Sequence, residues 1–441
     1  MFTNKDLKNV IVPLFLEQLL VMLVGIVDTF IVSYAGEAAV SGVSLVNSFS
    51  TIFIYIFTAL ASGGAVIISQ YIGRGVKEDA GETASQLLTA STLLAFIVSI
   101  LILVLHRPLL GLFFGQVDPS VMDACIIYLQ ISVFSYPALA VYNAGAALYR
   151  SMGKTNVTMY ISVAANAINV VGNLIGVFGL KAGVAGVAWP TLIARVFSAV
   201  VITGLCFGKR VDVCYTWRQI CKWNTKLMKR ILCIAVPNGV ENGIFQMVKV
   251  ALSSVVALFG TYQIAANGIA QSIWSLAALA GVAMGPVFIT VIGQCMGAGD
   301  TDQAEHYFRK LLKITLTVSL IWNVLVFAIT PIMMNFYRIS DEAKHLVIIL
   351  VLIHNIFNTV AFPMSGPLGN GLRAAGDIRF TMIVSISSTI GGRLALSVLL
   401  AIGLNWGVIG IVVAMCLDWV IRAVIFTLRL RSGKWKEFKV I

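Results

Sequence analysis

The sequence predicts an all-α polytopic membrane protein, with twelve transmembrane helices in two six-helix lobes related by an internal repeat. Three observations carry this. The 441-residue chain is 59% hydrophobic and 11% charged, with a mean hydropathy of +0.93, which no soluble domain of this size approaches. Its apolar runs reach the roughly 20 residues that a helix needs to cross a bilayer, and they lack the alternation of β-barrel strands. Polar landmarks of the first half also recur in the second half at a nearly fixed displacement.

In order, the spans cover 9–34, 43–72, 82–105, 120–150, 156–179 and 184–207, then 230–259, 264–296, 306–330, 343–373, 379–403 and 407–430. The longest of them imply tilt, bending or extension beyond the hydrocarbon. The first apolar run is too long for the core of a signal peptide and no small-residue cleavage site follows, so no cleavable signal is expected. An even number of spans puts both termini on one side. The segments sharing a side with the N-terminus carry 23 Lys and Arg, from Lys5 and Lys8 to Lys436 and Lys439, whereas the opposite loops carry Arg107, Lys181, Arg338 and Lys344. Basic loops stay in the cytoplasm, so both termini are expected inside a cell inner (plasma) membrane. The net charge of +12 then reads as a topology signal facing anionic lipid, and not as a nucleic-acid surface. The seven cysteines show no disulfide or zinc spacing and read as free thiols.

The repeat divides the chain into an N-lobe (1–207), a basic cytoplasmic linker (208–229) and a C-lobe with a short basic tail (230–441). Val12-Pro13 and Glu17 recur as Val236-Pro237 and Glu241, displaced by 224 residues. Gly73 and Gly75 after Gln70 recur as Gly297 and Gly299 after Gln294, again at 224. Arg150, Gly153, Thr158 and Met159 recur as Arg373, Gly376, Thr381 and Met382 at 223, and Gly183-Val184 with Gly186 recur as Gly407-Val408 with Gly410 at 224. Six spans per repeat give both halves the same orientation, which implies a pseudo-twofold axis along the membrane normal and a cavity between two bundles.

Charged groups inside the spans need a reason, because a carboxylate at mid-membrane costs roughly 2.5–3.5 kcal/mol on insertion scales. The first span holds Glu17 and Asp28 as well as Pro13, whose missing N–H permits a bend. Each acid either pairs with a buried Lys or Arg or serves a transported cation, and the second reading is preferred for Asp28. Asp418 and Arg422 are four residues apart on one helix face and are expected to neutralise each other. His354 reads as a core histidine with a satisfied hydrogen bond. Arg195, Lys249 and Arg393 are left without an assigned partner. The fifth span carries Asn166, Asn169 and Asn173 on one face; these amides either join helices to one another or supply oxygen ligands to a hard cation. Gly153-Lys154-Thr155 is not a phosphate loop, since Leu148 stands where its first glycine belongs, and no nucleophile–base or metal-ligand pattern marks an enzyme.

Several runs together resemble the multidrug and toxic compound extrusion (MATE) family. They are Val27-Asp28-Thr29 with Gly36 beyond it, Pro13 at the position of that family's first-helix kink, and Asn169-x-x-x-Asn173 with Phe178-Gly179. To these add GVAGVAWPTLIARV in the sixth span and Val236-Pro237 with Glu241 in the seventh. The resemblance covers nearly the whole chain, duplication included. It implies a V-shaped, alternating-access exporter of organic cations, driven by exchange for H⁺ or Na⁺, with no cofactor and acting as a monomer. Carried over, Asp28, Asn169, Asn173 and Thr191 form the cation-coupling site, with Na⁺ as one possible occupant. Glu241 takes an acidic position in the substrate cavity; the resemblance assigns no role to its repeat-mate Glu17, which is placed in that cavity on the repeat alone. The chain departs from members that carry a further acid in the tenth span, since no Asp or Glu lies between Glu342 and Asp377. The competing reading is a lipid-linked oligosaccharide flippase of the same wider superfamily, whose cavity must be cationic; Arg195, Lys249 and Arg393 are the residues that could make it so.

Overall fold

A computed structural model describes residues 2–115, 117–208, 212–335, 337 and 339–441. Lys209, Arg210 and Arg338, counted above among the loop cations, lie outside the described residues. Among those described there is no strand. The helices are α1 (Asn4–Ser33), α2 (Glu37–Arg74), α3 (Lys77–Phe114), α4 (Pro119–Val133), α5 (Tyr136–Ser151), α6 (Thr155–Leu174), α7 (Ala185–Cys206) and the short α8 (Trp217–Cys221). They continue with α9 (Thr225–Val256), α10 (Thr261–Gly297), α11 (Thr301–Met334), α12 (Asp341–Ala374), α13 (Ile378–Ser387), the single turn α14 (Leu396–Val398) and α15 (Val408–Arg431). Eleven helical stretches are long and apolar enough to cross a membrane, and α4 with α5, bent by 45° at their junction, makes a twelfth.

Local chemistry accounts for the ends and the breaks. Thr3 caps α1 by accepting from the Asp6 amide at 3.2 Å while Asp6 accepts from the Thr3 amide at 2.8 Å. The glycines that betray the repeat share a backbone need: Gly75 and Gly299, Gly153 and Gly376, and Gly183 and Gly407 all adopt positive φ, where a Cβ is penalised. A proline leaves an orphan carbonyl four residues back, and at Pro13 and Pro137 a neighbouring hydroxyl takes it up. Pro13 frees the carbonyl of Asn9, which accepts from Thr155 Oγ1 at 3.0 Å. Pro137, opening α5, frees that of Val133, which accepts from Ser99 Oγ at 3.2 Å. The helix α1 is nonetheless continuous through Pro13.

The chain forms two compact units, Thr3–Gly239 and Val240–Ile441 with Phe2, and the division falls inside α9. In the first unit α1 packs chiefly on α6, and the core gathers Val46, Phe57, Leu129, Tyr136 and Ala188. The linker belongs to this unit and is docked on α3: the Gln86 side-chain amide donates to the carbonyls of Gln219 at 2.6 Å and Lys222 at 2.5 Å. In the second unit α10 and α12 form the central pair, with Ile273, Val347, Leu350 and Cys416 in the core. The C-terminal tail closes on the same unit, where Trp435 is fully buried and meets Phe308 edge-on at 5.0 Å.

Candidate cation-coupling site

The site grows from three helices of the first unit. The close approach of the end of α6 to the start of α7 is made by glycines: a Cβ on Gly176 would lie 2.1 Å from the Gly186 carbonyl oxygen, and one on Gly172 would lie 2.6 Å from Pro190. That approach brings Thr191 of α7 beside Asn169 of α6. Five residues of π-helix, Ile175–Gly179, begin two residues after Asn173, the kind of local widening found in helices at functional positions.

Asp28 enters from the late half of α1, where no residue between Glu17 and Ile31 is fully buried. Asn173 Nδ2 donates to Asp28 Oδ1 at 2.7 Å. The Asn169 amide lies 2.9 and 3.0 Å from the two carboxylate oxygens and 3.0 Å from Thr191 Oγ1. With its nitrogen towards Asp28 it donates to the carboxylate and accepts from Thr191. With its oxygen there it donates to Thr191 instead, and two oxygens then face each other, an arrangement that requires a proton or cation between them. Asn173 Oδ1 is buried without a hydrogen-bond partner, which leaves one oxygen of the cradle free to act as a ligand. The sequence-derived set Asp28, Asn169, Asn173 and Thr191 is thus brought together, while Asn166 reaches only Ser162, at 3.5 Å. Among the described residues Asp28 has no ion pair.

Two cavities meet at this cradle, and Gly25, Asp28 and Thr191 line both. The larger, of about 330 Å³, runs from Asp28 past Asn166, Ser162 and Arg195 to Tyr142 and Glu17. The smaller, of about 120 Å³, extends the other way, to Asn47 and Tyr128.

The other acids are held differently. Glu17 accepts from Arg150 Nη2 at 2.7 Å, Thr158 Oγ1 at 3.0 Å and Tyr142 Oη at 3.3 Å. In the second unit Glu241 accepts from Arg373 Nη2 at 2.6 and 2.7 Å. Arg150 and Arg373 read as loop cations in the sequence. In the structure they are partly buried partners of the two acids, and the signal was present, since the repeat carries both members of each pair. Asp418 is fully buried; it binds Arg422 as the spacing implies, and also accepts from Arg393 Nε at 3.1 Å and Ser388 Oγ at 2.5 Å. Arg393 in turn covers the Phe245 ring at 4.6 Å. His354 bonds Asn355 Oδ1 at 3.2 Å and stacks on Trp274, as a core histidine does.

A family model described as MatE matches residues 13–175 and again residues 237–399, two stretches that together make up most of the chain. The chain belongs to the MatE family. The second match lies 224 residues after the first, the displacement read from the landmarks. Full-length relatives accompany it. The Bacillus subtilis "Uncharacterized transporter YisQ" is 26% identical, over 96% of this chain and 93% of its own. The Thermotoga maritima "Probable multidrug resistance protein NorM" is 22% identical over 99% and 94%, and the mouse "Multidrug and toxin extrusion protein 2" is 22% identical over 90% and 69%. The fold agrees with solved structures. One, described as the outward-facing conformation of a multidrug resistance MATE family transporter, superposes with a TM-score of 0.89 at 21% identity over 98% and 97% of the two chains. Another, a MOP superfamily transporter from Pyrococcus furiosus described as having a binding pocket of reversed polarity, gives 0.91 at 21% identity over 98% and 97%. This MatE chain is therefore a multi-pass membrane transporter.

Proposed function

We propose that the protein is a secondary active multidrug exporter that moves organic cations out of the cell in exchange for H⁺ or Na⁺, with Asp28 as the exchanging carboxylate. The observation that carries this reading is the company Asp28 keeps: neutral donors only, in a cradle shared by two cavities that lead away in opposite directions. A carboxylate so placed binds a proton, a sodium ion or a cargo ammonium in turn, because no fixed cation of the protein occupies it. Asn173 Oδ1, Asn169 and Thr191 add the neutral oxygens that suit a hard cation. Relatives named for multidrug resistance and for multidrug and toxin extrusion support the same activity.

In this reading Glu17 and Glu241 are weaker attractors of cationic cargo than Asp28, because each is neutralised by its own arginine. A flippase cavity must be cationic, yet Arg393 is tied to Asp418, and Arg195 shares its cavity with two carboxylates. That favours the exporter. Both termini are placed in the cytoplasm by their basic segments, and the protein works as a monomer in the plasma membrane.

The test is transport of a cationic dye into inverted vesicles, with a pH gradient and a Na⁺ gradient imposed separately. At least one of the two gradients is expected to drive uptake in the wild type, and that uptake is expected to fail with Asp28→Asn. Full gradient-driven transport by Asp28→Asn would remove Asp28 from the exchange.

A further inference from the structure

Arg150, Arg373, Arg393, Arg422 and Arg429 each meet a carboxylate within ion-pair distance. Arg195, midway along α7, meets none among the described residues; its one hydrogen bond is from Nη1 to Ser135 Oγ at 2.7 Å. An uncompensated guanidinium inside a membrane span is costly and marks a functional position. Arg195 also lines the 330 Å³ cavity that Asp28 and Glu17 line, a volume within the range of small-molecule sites. It lies one helical turn, about 6 Å along α7, beyond Thr191 of the cation cradle. The cavity therefore has a negative pole at Asp28 and a positive pole at Arg195, with Ser162, Asn166 and Ser198 supplying neutral polar groups.

We propose that Arg195 is an anion subsite for cargo that carries a carboxylate as well as an ammonium group, so that the cavity selects zwitterions over simple cations. This rests on the exporter reading and deepens it. The ammonium competes with the coupling ion at Asp28, which is the exchange already described, while the carboxylate lies on the guanidinium fork, which matches its planar geometry. Esterifying the cargo acid removes the second interaction and leaves the first.

Binding to the purified full-length protein in detergent, followed by fluorescence, tests this with three aromatic amine probes: one bearing a carboxylate, its methyl ester, and the parent without either group. The wild type is expected to hold the acid about tenfold more tightly than the ester, the scale of one charge-assisted contact. Arg195→Gln should erase the preference of acid over ester, whatever it does to the affinity for the parent amine; Arg195→Lys should keep part of it. Equal binding of acid and ester by the wild type overturns the subsite. It is overturned equally if Arg195→Gln shifts the pH or Na⁺ dependence of transport but spares the acid preference, because Arg195 then serves Asp28 and not cargo. Failure of the exporter reading looks different: the acid preference is present and depends on Arg195, yet neither gradient moves any of the probes.

Discussion

Asp28 and Asp418 are both carboxylates carried by membrane helices, one in each compact unit, and their surroundings are opposite. Asp28 is partly accessible, bordered by two cavities and met by amides alone. Asp418 is sealed, lies among π-helical turns of the penultimate span and is bound by two guanidinium groups. The 224-residue displacement shows how the halves diverged: Asp28 falls on Leu252, Asn169 on Arg393, Asn173 on Ser397 and Thr191 on Met415. At that displacement the second half has no acid where the first has Asp28, and a cation where the first has the amide of Asn169. A buried charge without a fixed counter-ion stays available for exchange with a mobile one, whereas a charge with two counter-ions has become part of the scaffold.

The largest expected effect sharpens that contrast. Asp28→Asn is expected to reduce gradient-driven efflux in vesicles to background while leaving cargo binding measurable in detergent. Asp418→Asn is expected to act on stability instead. It leaves Arg393 and Arg422 without their acid, which costs about 3–5 kcal/mol for a broken buried pair and should appear as a lower thermal midpoint. Replacing all three charges together, as Asp418→Leu, Arg393→Met and Arg422→Leu, should restore the midpoint. A stable Asp418→Asn variant that has lost its ion dependence would break the comparison, because both units would then be coupling units.

A smaller effect is expected at the paired glutamates. Glu17→Gln and Glu241→Gln each leave an arginine partly unmet, at about 1–3 kcal/mol. Both are expected to lower transport of cationic and neutral cargo alike, measured as uptake of matched dyes. Selective loss of cationic cargo with Glu241→Gln would show instead that the residue meets the cargo despite its arginine.

Much of this was legible in the sequence, for identifiable reasons. Span number and order follow from apolar length, and the structure extends most spans by a few residues at their ends. Asp28, Asn169 and Asn173 stood out in the sequence as polar groups in apolar helices, whereas Thr191 entered only through the family resemblance, because a lone threonine in a span carries no signal of its own. The partners of Glu17 and Glu241 were missed because Arg150 and Arg373 sit at helix ends, where a cation ordinarily reads as a loop charge. Pairing the repeat matches would have found them, since an acid and a base recur together. The double hold on Asp418 was only half visible: Arg422 is one turn away on the same helix, but Arg393 comes from another span, and spacing says nothing about contacts between helices. Linker docking on α3 was invisible because it rests largely on main-chain groups of the linker, which any sequence offers.

The smallest effect concerns the helix that carries Asp28. Pro13 gives α1 a point of weakness, yet the helix runs unbroken, and Thr155 supplies the reason: its hydroxyl takes up the carbonyl of Asn9, and that of Val10 at 3.1 Å. At the matching position of the second half of the chain Ile378, 223 residues after Thr155, offers no hydroxyl. Thr155→Val keeps the shape and removes the donor. Loss of one buried hydrogen bond costs about 1 kcal/mol, small enough for the fold to tolerate. If the loading of Asp28 is linked to bending of α1, a looser Pro13 changes the balance between bent and straight forms, and with it the apparent affinity for the coupling ion. The expected result is a shift of a fewfold in the ion concentration giving half-maximal transport, with the maximal rate preserved. Ser99→Ala serves as the comparison: it removes the donor to Val133 at the α4–α5 break, outside α1, and is expected to cost similar stability with a smaller shift in the ion dependence. Equal shifts for the two variants would show that α1 carries no special link to the cation, and Asp28 would then act through its charge alone.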